Sequence, residues 1–82
     1  MTYKIIYKKK ALKFIQKQPK NQQQRIIEAI EKLPQGDIVH VETTDKYRLR
    51  VGDYRIIFTI DNDKLIITVV NAGNRGEIYK RY

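Results

Sequence analysis

The sequence predicts an α+β fold in the order β-α-α-β-β-β, with a two-helix hairpin packed on one face of a small, mainly antiparallel sheet. Three observations predict it. Apolar residues recur at helical spacing in two stretches that end at Pro19 and Pro34. The second half alternates β-branched and aromatic residues with basic ones. Gly52-Asp53 and the polar run from Asp61 to Lys64 then cut that half into consecutive strands. At 82 residues the chain is expected to form one domain, residues 1–82, with a small core.

Residues 3–7 read as a short strand. After the lysine run Lys8-Lys9-Lys10, the spacing of Ala11, Leu12 and Ile15, with Phe14 beside them, predicts a helix that Pro19 terminates. Asn21 followed by Gln24 resembles a capping box, and Ile26, Ile27, Ile30 and Leu33 form the apolar stripe of a second helix. Residues 35–45 read as loop. Strands are expected over residues 46–51, 54–60 and 65–71, after which Gly73 and Gly76 break the regularity. Strands joined in sequence by tight turns are antiparallel neighbours.

The charge balance narrows the functional classes. Seventeen Lys and Arg against nine Asp and Glu give a formal charge of +8, a field that attracts polyanions, nucleic acid first among them. A merely solubilising role for that charge is the plainer alternative. The composition, 41% hydrophobic and 32% charged, is that of a folded globular chain. With no cysteine, neither disulfides nor thiol chemistry are available. Residues 1–14 lack the continuous apolar core of a signal peptide, and no run approaches a membrane span. A cytoplasmic location and no membrane association are therefore expected.

Register locates a candidate site. If Gly52-Asp53 is a two-residue hairpin loop, Val51 faces Tyr54, Arg50 faces Arg55 and Leu49 faces Ile56. Tyr47, Leu49, Val51, Tyr54, Ile56 and Phe58 then share an apolar face that belongs against the helices. Lys46, Arg48, Arg50 and Arg55 fall on the other. Pairing Ile60 with Leu65 continues the apolar face through Ile67 and Val69 and sets Arg55 opposite Val70. The chain then soon reaches Arg75, with Tyr79 four residues on. Opposed like charges destabilise a sheet, so such a pair either binds an anion or splays into water. The convergence of Lys46, Arg48 and Arg75 favours a phosphate, which guanidinium forks match bidentately. Ile57, Ile66 and Val70 on the same face suggest partial cover by a partner.

No Ser-His-Asp set, two-histidine metal site, Walker loop or GxGxxG occurs, and the single histidine, His40, reads as an incidental surface residue. No metal, cofactor or small-molecule ligand is expected. The available chemistry is positive charge and phenol: Arg and Lys to stabilise a phosphorane, Tyr to orient or relay a proton.

The run YRLRVGDYRIIFTID from Tyr47 to Asp61, followed by VVNAGNRGEIY from Val69 to Tyr79, resembles the RelE/ParE superfamily of bacterial toxin–antitoxin toxins. The helix ALKFIQKQP and the isoleucine-rich second helix extend the resemblance over nearly the whole chain. It implies a RelE-like fold, an antitoxin partner and, in the RelE branch, ribosome-dependent cleavage of mRNA in the A site. That reaction is metal-independent attack of a ribose 2′-OH on the neighbouring phosphate. By position, Arg48 and Arg50 match basic residues that are lysines in well-known RelE members. Arg55 matches the phosphate-binding arginine, Arg75 the stabiliser of the transition state, and Tyr79 the tyrosine that packs on the substrate. A guanidinium is a poor general base, so Arg48 and Arg50 are expected to hold phosphate, with Tyr79 or Lys46 helping to activate the 2′-OH. Lys13 and Lys17, with Lys8 to Lys10 and Lys20, are expected to bind RNA, a solvated helix face being the alternative. The ParE branch, which inhibits DNA gyrase without cutting, is the competing reading, followed by an inactive RNA-binding module.

Overall fold

A computed structural model of the chain describes residues 3–74. The element order is β1 (Lys4–Tyr7), α1 (Lys9–Gln16), α2 (Lys20–Glu31), β2 (Ile38–His40), β3 (Tyr47–Val51), β4 (Tyr54–Asp61) and β5 (Ile66–Asn74). They form two helices against one five-stranded sheet of order β1-β5-β4-β3-β2. The meander β2 to β5 is antiparallel, while β1 pairs with β5 in parallel.

Helix–sheet packing follows the periodicities of the sequence. Ala11 and Ile15 of α1, with Ile26 and Ile30 of α2 and Leu33 beyond it, lie on Leu49, Val51, Ile56, Phe58, Ile67, Val69 and Ala72. Removing that apolar surface from water contributes about 25 cal/mol per Å², and it is the main support of two helices with poor ends. Both begin with lysine, carry no acidic residue in the first turn and lack a side-chain N-cap, which opposes the helix dipole.

The structure corrects four local expectations. The capping box at Asn21 and Gln24 does not form, because α2 starts at Lys20 with Pro19 at its N-cap, two residues ahead of the expected cap. Gln24 instead donates to Glu28, and Gln23 Nε2 donates to the carbonyls of Gln16 and Gln18 at the end of α1. Within the expected loop 35–45 lies β2, too short to show an alternation, which completes the sheet against β3. Gly36 (φ +134°) makes that turn possible: a Cβ there would stand 3.0 Å from Leu49 Cδ1.

The third correction concerns the β4–β5 register. Ile60 pairs with Ile67, not Leu65, because the connection is longer than expected. Asp61 Oδ1 accepts from the N–H groups of Asp63 and Lys64, and Leu65 adopts a left-handed φ of +56° in the turn. A bulge between Ile57 and Phe58 then inserts Val70 as an extra residue, so Arg55 lies opposite Gly73 rather than Val70. Fourth, Gly73 does not break β5, which runs on to Asn74. The hairpin register at Gly52-Asp53 is as expected: Val51 with Tyr54, Arg50 with Arg55, Leu49 with Ile56. Gly52 takes φ +59° at the loop, where glycine carries no steric cost.

Candidate nucleic-acid interface

The side chains that alternate away from the helices begin with Val39 on β2, Arg48 and Arg50 on β3, and Arg55 and Ile57 on β4, as the register dictates. Arg48 pairs with Ile57 and Val39, and Arg50 with Arg55. Three guanidinium groups thus belong to one end of one sheet face.

Their environments differ sharply. Arg55 is buried, with 6% of its surface exposed. Its Nη1 donates to the carbonyls of Gly52 (3.1 Å) and Tyr54 (2.9 Å), so the hairpin loop itself fixes the charge in place. Arg50 is exposed: its Nε donates to Asp37 Oδ2 at 2.6 Å, while its backbone N–H donates to the Asp37 carbonyl. The opposed arginines therefore separate, one curling over the loop and the other reaching a carboxylate. That relieves the repulsion within the chain, which the pairing alone did not foretell. Ile57 is likewise covered already, at 1% exposed.

Lys46 precedes β3, and its ammonium stands 3.7 Å from Asp45, at the opposite end of the strand from Arg50. Lys13 on α1 and Lys17 at its C-cap are exposed and line a separate cleft with Lys10, Phe14, Asn71 and Ala72. The His40 ring packs at a tilt against Tyr47, and its Nε2 bonds to the Thr44 carbonyl. Arg75 and Tyr79 lie outside the described residues; Gly73, two residues before Arg75, is the register partner of Arg55.

A residue that the sequence gave no reason to single out is Arg25 of α2. Its two terminal nitrogens lie 3.7 Å from the point where a Cβ at Gly52 would stand. The Gly52 peptide is thus flanked by Arg25 on the helix side and by the Arg55 bond to its carbonyl. No periodicity marks Arg25, since the contact joins an exposed helix position to a loop that only the tertiary fold brings near.

Tyr7, on the helix-facing side of β1, has its pKa raised above the ordinary 10.0, chiefly by burial and secondarily by the Glu31 carboxylate. It is remote from the arginine face and belongs to the packing. Among the described residues no cluster of three or more His, Asp or Glu could hold a metal, and no helix is long and apolar enough to cross a membrane.

Comparison with known proteins gives a consistent relationship. A family model described as the ParE toxin of the type II toxin–antitoxin system parDE matches residues 5–79. A RelE-like toxin protein of Escherichia coli is 28% identical, over 92% of this chain and 85% of that protein. The archaeal RelE of Pyrococcus horikoshii, solved in complex with RelB, is 31% identical, with a TM-score of 0.79 over 94% of this chain and 99% of that one. The Methanococcus jannaschii toxin, also solved with its antitoxin, shows 25% identity and a TM-score of 0.73 over 94% of this chain and 98% of its own. Escherichia coli RelE, at 20% identity and a TM-score of 0.74, shares the fold.

Proposed function

Because the chain belongs to the RelE/ParE superfamily of type II toxin–antitoxin toxins, we propose that it is a RelE-type endoribonuclease that cuts mRNA on the ribosome and so stops translation. The observation that carries this reading is the arginine face. Arg48, Arg50 and Arg55 sit together at one end of the sheet, and Arg55 is in register with Gly73 just ahead of the segment bearing Arg75. A guanidinium held in place, as that of Arg55 is, suits a reaction whose transition state gathers negative charge on phosphate oxygens.

In this mechanism the ribose 2′-OH attacks the adjacent phosphorus, the bond to the 5′ oxygen of the next nucleotide breaks, and a 2′,3′-cyclic phosphate remains upstream. Arg55, held by the Gly52 and Tyr54 carbonyls, pairs with a non-bridging oxygen. Arg48 and Arg50 bind neighbouring phosphates, with Arg50 exchanging Asp37 for the substrate. Arg75 neutralises the phosphorane, and Tyr79, with Lys46 as the lesser candidate, moves the proton. Lys13 and Lys17 contact RNA beyond the reacting bond. The partner that restrains the toxin is a cognate antitoxin, as RelB is for the archaeal relatives, and the setting is the cytoplasm, where ribosomes are.

The ParE description of the matching family model favours one second reading, a non-cutting toxin that binds DNA gyrase. Translation of a defined mRNA in a purified system, with primer extension to map new 5′ ends, separates them. Cuts inside A-site codons that disappear with Arg75→Ala support the nuclease. Intact mRNA together with blocked supercoiling by gyrase supports the alternative.

A further inference from the structure

Two of the bonds that hold Arg55 lead back to the hairpin loop. Its Nη1 donates to the carbonyls of Gly52 (3.1 Å) and Tyr54 (2.9 Å), the residues on either side of Asp53. Where that end of the hairpin goes, the guanidinium goes with it. A tight turn fixes the register of its two strands, but not the angle at which its tip sits over the rest of the fold. A contact from outside the hairpin sets that angle.

The contact comes from the corner between the helices. The Tyr54 hydroxyl donates to Gln18 Oε1 at 3.1 Å, across 36 residues of sequence. Gln18 lies in the link between α1 and α2, and both helices hold it. Its Nε2 donates to the Phe14 carbonyl at 3.0 Å, its backbone N–H donates to the Ile15 carbonyl, and its own carbonyl accepts from Gln23 Nε2 at 2.8 Å. A carbonyl can only accept, so the Phe14 bond fixes which end of the amide faces it and leaves Oε1 for the tyrosine. The half-buried Tyr54 ring meets Phe14 edge to face, with centroids 6.0 Å apart. Ring and hydroxyl are both seated on the helix layer, while Arg55, the next residue, leaves the other face of the sheet.

We propose that Gln18 is a positioning residue: through the Tyr54 hydroxyl it seats the hairpin end on the helices and so sets where the Arg55 guanidinium stands when a phosphate arrives. Gln18 itself touches no substrate. Misplacing a reacting group by about 1 Å can cost about 10²-fold in rate, whereas binding is shared among several cations and changes little. The proposal rests on the RNA-cutting reading and adds to it a residue outside the sheet.

A double-mutant cycle tests it. Gln18→Met keeps the length of the side chain and loses both amide bonds; Tyr54→Phe keeps the ring and loses only the hydroxyl. Two readouts are followed on the full chain, at a temperature where circular dichroism shows every variant folded. One is single-turnover cleavage of mRNA on programmed ribosomes, and the other is the ¹⁵N–¹H resonance of Arg55 Nε in the free protein, assigned by its loss in Arg55→Gln. Each single variant is expected to lower the maximal rate about tenfold, to leave the half-saturating ribosome concentration within about twofold of the natural chain's, and to shift the Arg55 resonance. Tyr54→Phe should add nothing to either readout in the Gln18→Met background. If Gln18→Met unfolds more easily yet keeps the full rate and an unmoved Arg55 resonance, Gln18 only stabilises the fold, the proposal is overturned and the nuclease reading stands. Losses that add independently overturn it too, because the two side chains would then not act through their shared bond. If the natural chain cuts no mRNA, the nuclease reading fails and the resonance alone decides on Gln18: a shift in Gln18→Met that Tyr54→Phe does not extend supports the positioning role, and an unmoved resonance overturns it.

Discussion

Arg50 and Arg55 face each other across one hairpin, yet the fold treats them in opposite ways. Arg55 is withdrawn from water and held by two loop carbonyls; Arg50 stays in solvent, its charge met by Asp37. The first is a fixed positive charge whose position costs nothing to set when substrate arrives, which is the property electrostatic catalysis needs. The second is a mobile charge that a phosphate must win from a carboxylate. In the nuclease reading, the difference divides the labour: Arg55 acts on the reacting phosphate and Arg50 on a flanking one.

The largest effects are expected on the fixed side. Arg55→Gln should slow cleavage about 10²-fold and also lower stability by about 1–3 kcal/mol, since the Gly52 and Tyr54 carbonyls lose their donor. Single-turnover cleavage and denaturant unfolding measure the two separately. Arg75→Ala should cost about 10²-fold or more in cleavage, and a loss below about threefold would remove it from transition-state stabilisation. Tyr79→Phe is expected to slow cleavage while leaving ribosome binding intact; unchanged cleavage would take the phenol out of the chemistry.

Smaller changes probe the mobile side. Gly36→Ala places a Cβ against Leu49 in a left-handed conformation and should destabilise by about 1–3 kcal/mol, loosening the turn that presents Asp37. Asp37→Asn removes the competitor for Arg50. An exposed pair of this kind is worth about 0.2–1 kcal/mol, so RNA affinity should rise about 1.4- to fivefold in a binding titration. If Asp37→Asn weakened binding, or if Arg50→Gln cost as much cleavage as Arg55→Gln, the division between the two arginines would collapse.

The smallest effect lies in the packing. The raised Tyr7 pKa means that the folded state binds this proton more tightly than the unfolded chain does. Its contribution is therefore fully present below the unfolded phenol value and is lost as pH rises through the folded one. Unfolding curves above pH 10 should fall more steeply for the natural chain than for Tyr7→Phe.

Much of this was legible in the residues. Two prolines and two apolar stripes marked the helices, and Gly52-Asp53 fixed a hairpin whose register then placed Leu49, Ile56 and Phe58 in the core and Arg48, Arg50 and Arg55 opposite them. What stayed hidden depended on contacts between distant segments. A three-residue strand such as β2 has no periodicity to detect. The Asp61 turn and the Val70 bulge each shifted the β4–β5 register, which moved the partner of Arg55 from Val70 to Gly73. The fates of Arg50 and Arg55 followed from Asp37 and from loop carbonyls, neither of which alternation can identify. The place of Arg25 beside Gly52 surfaced only with the tertiary fold.

The central claim is that the arginine face cuts RNA by attack of a ribose hydroxyl on its own phosphate. The most direct test presents ribosomes with an mRNA carrying a single 2′-deoxynucleotide at the mapped cut and an otherwise identical all-ribose mRNA. The account predicts cleavage of the all-ribose message to a 2′,3′-cyclic phosphate and none at the deoxy position. Equal cleavage of both would contradict the mechanism, and intact mRNA in both would contradict the function.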